Sequence, residues 1–150
     1  MAEAIRIAVE SATGGKGGPF GAVVVRDNAI VASGPNLVAS ANDPTAHAEV
    51  VAIRRACEKL ATFQLTECEL YSSCEPCPMC LGAAYWARVR KIWFAATRED
   101  AAKAGFDDSF IYGEFALPLQ ERRIPMANLM RQEGAESFRA WMGFQARTPY

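Results

Sequence analysis

One histidine and one pair of cysteines stand at spacings that suit a metal site. His47 is the only histidine in the 150-residue chain, and two residues separate Cys77 from Cys80. One imidazole and two thiolates supply three protein ligands, the number that a catalytic zinc ion takes when its fourth position holds water. Pro78 predicts that a helix begins directly after Cys77, which brings both thiols to the first turn of that helix. The sequence therefore predicts a zinc centre with an open position.

Glu49 is the second part of this constellation. It lies two residues after His47 and shares an apolar stripe with Ile53, Ala56 and Leu60 at helical spacing. A carboxylate that faces a core needs a role, and beside a zinc-bound water it can accept a proton and pass it to a leaving group. Because residues two apart do not share a helix face, His47 and Glu49 can meet only where the helix end opens into a cleft.

Cys74 offers an alternative interpretation of the same residues. As a fourth ligand it would complete a closed Cys₃His site, which is typical of structural zinc. Two observations favour the open site: Glu75-Pro76 predicts an extended approach that turns Cys74 away, and a closed site leaves Glu49 without a role. A zinc-stabilised domain that binds a partner and catalyses nothing stays open as the alternative from another class.

The elements that must position these residues alternate between strands and helices. The predicted order is an amphipathic helix over residues 1–13, strands 21–26 and 29–33 joined by a hairpin at 27–28, a helix from Pro44 to about Leu60, a strand over 69–73, a helix over 78–87, a buried strand over 91–96, a helix near 99–104, a loop through 106–112 and a last helical stretch near 136–145. His47 then falls in the opening turn of its helix or just after it. This alternation predicts one three-layer α/β domain over residues 1–150 with a mixed sheet.

Composition restricts the class of partner. Hydrophobic residues make up 51% of the chain and charged residues 22%, and the net charge is −1. The only basic clusters are short, so a nucleic-acid polymer and an anionic membrane both match poorly. The chain lacks the run of about 18 apolar residues that a membrane-spanning helix needs, and it lacks a signal-peptide pattern. Three of the five cysteines lie within seven residues, which suits metal binding, and we expect a cytoplasmic protein.

Longer segments of the chain resemble a known family. His-x-Glu with Pro-Cys-x-x-Cys is the zinc signature of nucleobase and nucleoside deaminases. The similarity extends to the bacterial guanine deaminases of the cytidine-deaminase fold in five places: residues 18–23, 42–49, 73–83 and 104–112, and the terminal Tyr150. The tRNA adenosine deaminases share the zinc motif but end differently. The resemblance therefore covers nearly the whole chain.

This resemblance implies a fold and an assembly. The implied fold is a three-layer α/β/α cytidine-deaminase-like fold with a central mixed five-stranded sheet. The implied assembly is a homodimer that exchanges a C-terminal segment, about residues 134–150, between subunits. Phe138, Trp141 and Met142 stand at helical spacing in that segment. Their apolar side chains need a covering surface, which a partner subunit or the body of the same chain can supply.

The resemblance also implies a reaction, the zinc-dependent hydrolytic deamination of guanine to xanthine and ammonia in purine catabolism or salvage. The residues matching His47, Cys77 and Cys80 bind zinc (Zn²⁺) in that family, and the residue matching Glu49 transfers protons. The partner is a small-molecule purine, and no nucleic acid or membrane is expected. Deamination of guanosine, of an aminotriazine or of tRNA adenosine stays open as an alternative.

Six further residues receive substrate-binding roles from the resemblance, namely Phe20, Asn36, Ala48, Trp86, Asp108 and Tyr150. Asn36 is expected to hydrogen-bond the purine and Asp108 to contact the base edge. Phe20 and Trp86 are expected to wall the pocket, and Tyr150 to close it. From the residue types alone, Asn36 suits a turn equally well, and the two aromatic residues suit a core.

Overall fold

A computed structural model describes residues 1–15 and 17–149, and in this part of the chain it contains four strands and seven helices. They follow the order α1 (Ala2–Thr13), β1 (Gly21–Arg26), β2 (Ala29–Pro35), α2 (Val38–Ala41), α3 (Ala48–Leu60), β3 (Glu69–Cys74), α4 (Pro78–Ala87), β4 (Lys91–Ala96), α5 (Arg98–Lys103), α6 (Ser109–Ala116) and α7 (Arg131–Gly143).

The strands form one mixed sheet in the order β2-β1-β3-β4. Strand β1 pairs antiparallel with β2 and with β3, and β3 pairs parallel with β4. The predicted α/β fold with a mixed sheet is confirmed. The implied five-stranded sheet is not found in the described residues, because after β4 the chain continues through helices α5, α6 and α7.

Side chains alternate across the sheet and divide the core between its two faces. Val23 packs with Ala4 and Ile7 of α1 on one face. Helices α3 and α4 cover the other face through a larger buried cluster, formed by Ala22, Val24, Ala48, Ala52, Ile53, Ala56, Leu65, Cys68, Leu70, Ala84 and Ala87. The sheet therefore lies between two helical layers, as the alternation of elements predicts.

Helix α3 begins at Ala48 and not at Pro44, so this part of the prediction is wrong. The carboxylate of Asp43 accepts the backbone N–H of Thr45 at 2.8 Å, which closes a turn where the sequence predicts the first helical turn. His47 becomes the N-cap of α3, with an extended backbone at φ −65° and ψ 154°. The predicted apolar stripe is present, since Glu49 and Ile53 are both buried on α3.

Two further predictions differ from the structure. Strand β4 has the predicted bounds but is not buried, because it is an edge strand whose Trp93 and Phe94 are 40% and 48% exposed. The predicted loop over 106–112 contains the start of α6. Asp107 accepts the backbone N–H of Ser109 at 2.9 Å, and this local turn leads into that helix.

The chain divides into two compact units, Met1–Ser109 and Phe110–Tyr150. The first unit contains the whole sheet. The second contains α7, which starts five residues before the predicted stretch near 136–145 and leaves Phe138 and Met142 more than 60% exposed. None of the described helices is both long enough and apolar enough to cross a membrane.

Gly34 on β2 lies directly against the backbone of α3. A Cβ at this position would stand 2.6 Å from the backbone nitrogen of Ala52 and closer still to the carbonyl oxygen of Ala48. We predict that Gly34→Ala lowers the free energy of unfolding by about 1–3 kcal/mol, the usual cost of overpacking a core. Urea denaturation measures this change.

Gly82 on α4 provides the matched control, because a Cβ there meets nothing within 4 Å. Alanine is favoured over glycine inside a helix by about 1 kcal/mol, so Gly82→Ala should leave the free energy of unfolding unchanged or raise it. Similar losses in both variants would contradict the close packing of β2 on α3.

Candidate active site

Two helices of the first unit begin at the same place. Cys77 is the N-cap of α4, with an extended backbone at φ −64° and ψ 168°, and Pro78 is the first helical residue, as predicted. His47 holds the same position at α3. Because His47 precedes its helix, it does not need to share a helix face with Glu49. The two residues therefore meet at the helix end, which is the arrangement that their spacing requires.

The three candidate ligands lie close together. Nδ1 of His47 is 3.5 Å from the Sγ atoms of both Cys77 and Cys80, and one ligand atom from each of the three residues lies within 4.8 Å of the others. Zinc binds sulfur at about 2.3 Å and nitrogen at about 2.0–2.1 Å, so a tetrahedral ion separates such ligands by roughly 3.5 Å. The donor set therefore fits zinc in both chemistry and spacing.

Cys74 does not belong to this group of ligand atoms. Its Sγ atom donates a hydrogen bond to the carbonyl oxygen of Thr97 at 3.5 Å, and burial raises the pKa of the thiol to about 11. This placement agrees with the extended approach that Glu75-Pro76 predicts. Three donors, and not four, converge in the part of the chain that the structure describes.

The interaction between Cys77 and Cys80 favours a thiolate at Cys77. A hydrogen bond from Cys80 lowers the pKa of Cys77 to about 4, with a further contribution from His47. The same hydrogen bond, together with burial, raises the pKa of Cys80. Interaction with Cys77 also raises the pKa of His47. A thiolate at a helix N-terminus is stabilised by the backbone N–H groups and is the form that binds metal.

Glu49 is buried beside the three donors and hydrogen-bonded through both carboxylate oxygens. Its Oε1 accepts from the hydroxyl of Ser72 at 2.8 Å, and its Oε2 accepts from the thiol of Cys80 at 3.3 Å. Burial raises the pKa of Glu49. A carboxylate with a raised pKa accepts a proton more readily than an ordinary carboxylate does, as proton transfer by a general base requires.

A cavity of about 510 Å³ opens beside this group. Three of the predicted substrate-binding residues, Phe20, Asn36 and Asp108, line it together with His47 and Glu49. The other lining residues are Gly18, Val38, Ala39, Cys74, Glu75, Cys77, Arg98, Ala101, Gly105, Phe106 and Asp107. The structure thus brings most of the predicted site into one concave surface.

Asn36 is buried, lines the cavity and is held in place by hydrogen bonds from the backbone. Its Oδ1 accepts hydrogen bonds from the backbone N–H groups of Val38 at 3.2 Å and Gly18 at 3.4 Å. Those bonds use the oxygen of the side chain, and the two N–H donors of the amide take no part in them. Asn36 therefore serves the turn after β2 and can still donate hydrogen bonds.

The aromatic and acidic walls of the cavity come from two segments: Phe20 directly precedes β1, and Phe106 and Asp108 lie between α5 and α6. The rings of Phe20 and Phe106 meet edge to face with their centroids 5.0 Å apart. Asp108 has a raised pKa because it is partly desolvated, and the negative charge of Cys77 adds to the effect. The cavity therefore combines a flat apolar wall with acidic and amide groups.

Two of the predicted substrate-binding residues, Trp86 and Ala48, do not line this cavity. Trp86 on α4 is 71% exposed and does not line it. Ala48 is fully buried in the core at the start of α3 and does not line it either. Tyr150 lies outside the described residues. The substrate roles of these residues stay predictions.

Sequence reasoning missed Glu75 and Arg98, although the topology points to them. Each follows one of the two parallel strands, β3 and β4, and the carboxyl ends of parallel strands meet at one edge of a sheet. Oε2 of Glu75 accepts the backbone N–H of Arg98 at 3.1 Å, which ties the two loops together beside the cavity.

More than half of the chain matches one known protein family. The family model described as the cytidine and deoxycytidylate deaminase zinc-binding region matches residues 1–96. The chain belongs to the cytidine and deoxycytidylate deaminase family. The ligand group, Glu49 and the cavity all lie in the first unit, and the strands and helices that hold the ligands lie within the matched residues.

Relatives within this family differ in how much of the chain they match. The guanine deaminase of Bacillus subtilis is 53% identical over 150 residues, which is 100% of this chain and 96% of the relative. Its X-ray structure matches with a TM-score of 0.97 at 54% identity, covering 99% of this chain and 95% of that one. The predicted resemblance to bacterial guanine deaminases is confirmed, and with it the class of enzyme, a hydrolytic deaminase.

Other relatives match a smaller share of the chain. The tRNA-specific adenosine deaminase of Aquifex aeolicus is 45% identical over 78 residues, or 52% of each chain. A crystal structure of a mutant protein in complex with 8-azaguanine has a TM-score of 0.66 at 35% identity and covers 71% of this chain and 62% of that one. The similarity to the B. subtilis enzyme is thus far more extensive than the similarity to the tRNA deaminase.

The separated thiol pKa values predict selective alkylation of the metal-free protein. At about pH 6, Cys77 is a thiolate because this pH lies above its pKa, whereas Cys74 is protonated because this pH lies far below its own. Iodoacetamide should therefore modify Cys77 first, as peptide mass spectrometry measures. Cys57 is the control outside the site, since burial raises its pKa as well. Equal modification of Cys57, Cys74 and Cys77 would contradict this assignment.

Proposed function

We propose that this chain catalyses the hydrolytic deamination of guanine to xanthine and ammonia, as a zinc-dependent step of purine catabolism or salvage. One observation carries the proposal: the carboxylate of Glu49 lies beside three zinc-type donors in a cavity of about 510 Å³. The choice of guanine is supported by the guanine deaminase of B. subtilis, which matches this chain over its full length.

The proposed zinc ligands are His47, Cys77 and Cys80, and the tetrahedral spacing of these donors supports this assignment. The zinc-binding region of the family model includes all three residues. Bound zinc supplies one chemical effect, because it lowers the pKa of water from 15.7 to about 7 and so provides a nucleophile at neutral pH. The remaining steps belong to side chains of this protein.

Glu49 transfers the protons of the reaction. Its carboxylate accepts a proton from the attacking water while the water oxygen forms a bond to C2 of guanine, and it passes this proton to the adjacent ring nitrogen. It then transfers the second proton of the water to the amino group at C2. The bond between C2 and this nitrogen breaks, ammonia leaves, and the ring remains as xanthine.

Asn36 and Asp108 are proposed to select the base. The amide of Asn36 donates hydrogen bonds and therefore suits the oxygen and ring nitrogen acceptors of a purine, whereas the carboxylate of Asp108 accepts from ring N–H groups. A base without matching groups leaves both residues unpaired in a partly buried site, which is costly. Phe20 supplies a flat apolar wall, and the family resemblance assigns further contacts to Ala48, Trp86 and Tyr150.

The proposed assembly is a homodimer in which a C-terminal segment, about residues 134–150, is exchanged. Large apolar side chains of the second unit support it, since Phe138, Met142 and Phe144 are each more than half exposed in the single chain. We also propose a cytoplasmic location, because none of the five cysteines forms a disulfide, which suits a reducing compartment.

Substrate choice is tested by measuring ammonia release and ultraviolet spectra of the zinc-loaded protein with guanine, guanosine, adenine, cytosine, an aminotriazine and tRNA in separate assays. We predict turnover of guanine with conversion to the spectrum of xanthine. Turnover of guanosine or of an aminotriazine in place of guanine would contradict the roles of Asn36 and Asp108. Deamination confined to tRNA adenosine would show a polynucleotide enzyme, which the net charge of −1 disfavours.

Glu49→Gln tests the proton transfers at nearly constant side-chain shape. The amide cannot accept the proton of water, so kcat should fall by about 10²–10⁴ or more, whereas bound zinc should stay near one ion per chain. Steady-state kinetics and metal analysis measure the two quantities on the same sample. Turnover that persists at full zinc content would contradict the role of Glu49.

Sedimentation equilibrium at micromolar concentration tests the assembly. A homodimer predicts a single species of twice the chain mass of 16.3 kDa. Phe138→Ser and Met142→Ser together should shift the protein towards the mass of one chain, because they remove apolar surface from α7. A protein that is already a single chain before substitution would contradict the dimer.

A further inference from the structure

Ser72 is the side chain of the sheet that faces the proton-transferring carboxylate. It lies on β3, between Ala22 of β1 and Phe94 of β4 in the strand register, and is only 1% exposed. Leu70 and Cys74 share its side of the strand because side chains alternate. The surrounding cluster of α3 and α4 is apolar, so a hydroxyl at this position requires a partner.

The partner of Ser72 is one oxygen of Glu49. The hydroxyl donates to Oε1 at 2.8 Å, and this hydrogen bond joins the central part of the sheet to the first turn of α3. The other oxygen, Oε2, accepts from the thiol of Cys80 at 3.3 Å. The bond from Ser72 therefore anchors Oε1 to the sheet, and Oε2 is the oxygen that lies beside the candidate metal ligands.

The anchor answers a requirement of the reaction. In the proposed reaction, Glu49 exchanges protons first with the water and then with two nitrogen atoms of the base. Its side chain has three rotatable bonds, so the position of its carboxylate has to be fixed by a contact. A hydrogen bond to one oxygen, donated from a rigid strand, fixes the plane of the carboxylate and directs the other oxygen towards the cavity. We infer that Ser72 is a positioning residue that holds Oε1 of Glu49 so that Oε2 carries out the proton transfers, an inference that rests on the function proposed above.

Ser73 provides a matched control one residue further along β3. It is 8% exposed, and its hydroxyl accepts a hydrogen bond from the backbone N–H of Gly21 at 3.0 Å, on the opposite side of the strand. Ser73→Ala therefore removes one buried hydrogen bond of a neighbouring serine without touching Glu49. Any general effect of a cavity or a lost hydrogen bond in β3 should occur in both alanine variants.

The first experiment compares Ser72→Ala with Ser73→Ala at equal zinc content. We expect Ser72→Ala to lower kcat by about tenfold to a hundredfold, the factor that corresponds to one hydrogen bond to a charged group, while KM changes by less than about twofold. Ser73→Ala should leave kcat within about threefold of the unmodified protein. Equal losses of kcat in both variants, or a loss confined to KM, would overturn the inference.

A second pair of variants isolates the hydroxyl from side-chain volume. Threonine and valine at position 72 have nearly the same shape, but only threonine can donate to Glu49. Ser72→Thr should therefore retain a kcat at least about tenfold above that of Ser72→Val. Equal kcat values in the two variants would overturn the inference, and if neither folds, the two alanine variants decide it.

Two further measurements separate this inference from the proposed function. In a Glu49→Gln background, Ser72→Ala should cause less than about a threefold further loss of kcat, because the carboxylate it positions is absent.

Infrared difference spectra between the protein that carries Glu49 and its Glu49→Gln variant report the carboxylate band without any substrate. That band should shift in the Ser72→Ala background and not in the Ser73→Ala background. An unshifted band overturns the inference, whereas a protein inactive on guanine with a shifted band contradicts only the proposed function.

Discussion

The arrangement of this site depends on the convergence of two helix N-termini. His47 and Cys77 each serve as an N-cap with an extended backbone, so both side chains leave the chain just before a helix begins, and Cys80 joins them from the first turn of α4. Strand β3 carries the chain from the core to that point, and α3 is held against β2 by a backbone contact that only glycine at position 34 permits. Displacement of either helix would separate donor atoms that now lie 3.5 Å apart. The sheet and its two helical layers thus act as the frame of one metal-binding group.

The same convergence explains how the fold tolerates several acidic groups in one cavity. Cys77, Glu49 and Asp108 all line a space that is partly closed to water, and the pKa values of Glu49 and Asp108 are raised. The helix N-termini provide partial positive charge, which favours the thiolate of Cys77. A divalent cation held by His47 and the two thiolates would supply the larger part of the compensating charge. Binding of a metal and the protonation states of the acidic groups are therefore parts of the same electrostatic balance.

The sequence predicts which residues come together at this site better than it predicts the helix starts, strand exposure and contacts around them. Residue types and spacing predict a group of His47, Cys77, Cys80 and Glu49, because such donors are rare in the chain and Pro78 marks a helix start, and the structure brings these four side chains together. The start of α3 is missed, since the turn closed by Asp43 and Thr45 competes locally with a helix. The exposure of β4 is missed because a short apolar run does not distinguish an edge strand from a central one. Glu75, Arg98 and the bond from Ser72 to Glu49 depend on strand order and register, which single-sequence patterns do not contain. For Trp86 the prediction and the structure differ in the other direction. The family resemblance predicts a place in the pocket wall, but the side chain is exposed on α4.

We propose that three protein donors, and not four, hold a catalytic zinc ion where two helices begin. X-ray absorption at the zinc edge of the purified, zinc-loaded protein distinguishes three protein donors from four. We predict two sulfur ligands at about 2.3 Å and two nitrogen or oxygen ligands at about 2.0–2.1 Å, one from His47 and one from solvent. A shell of three sulfur atoms and one nitrogen would mean that Cys74 closes the site. That result would contradict an open catalytic centre and favour a structural zinc.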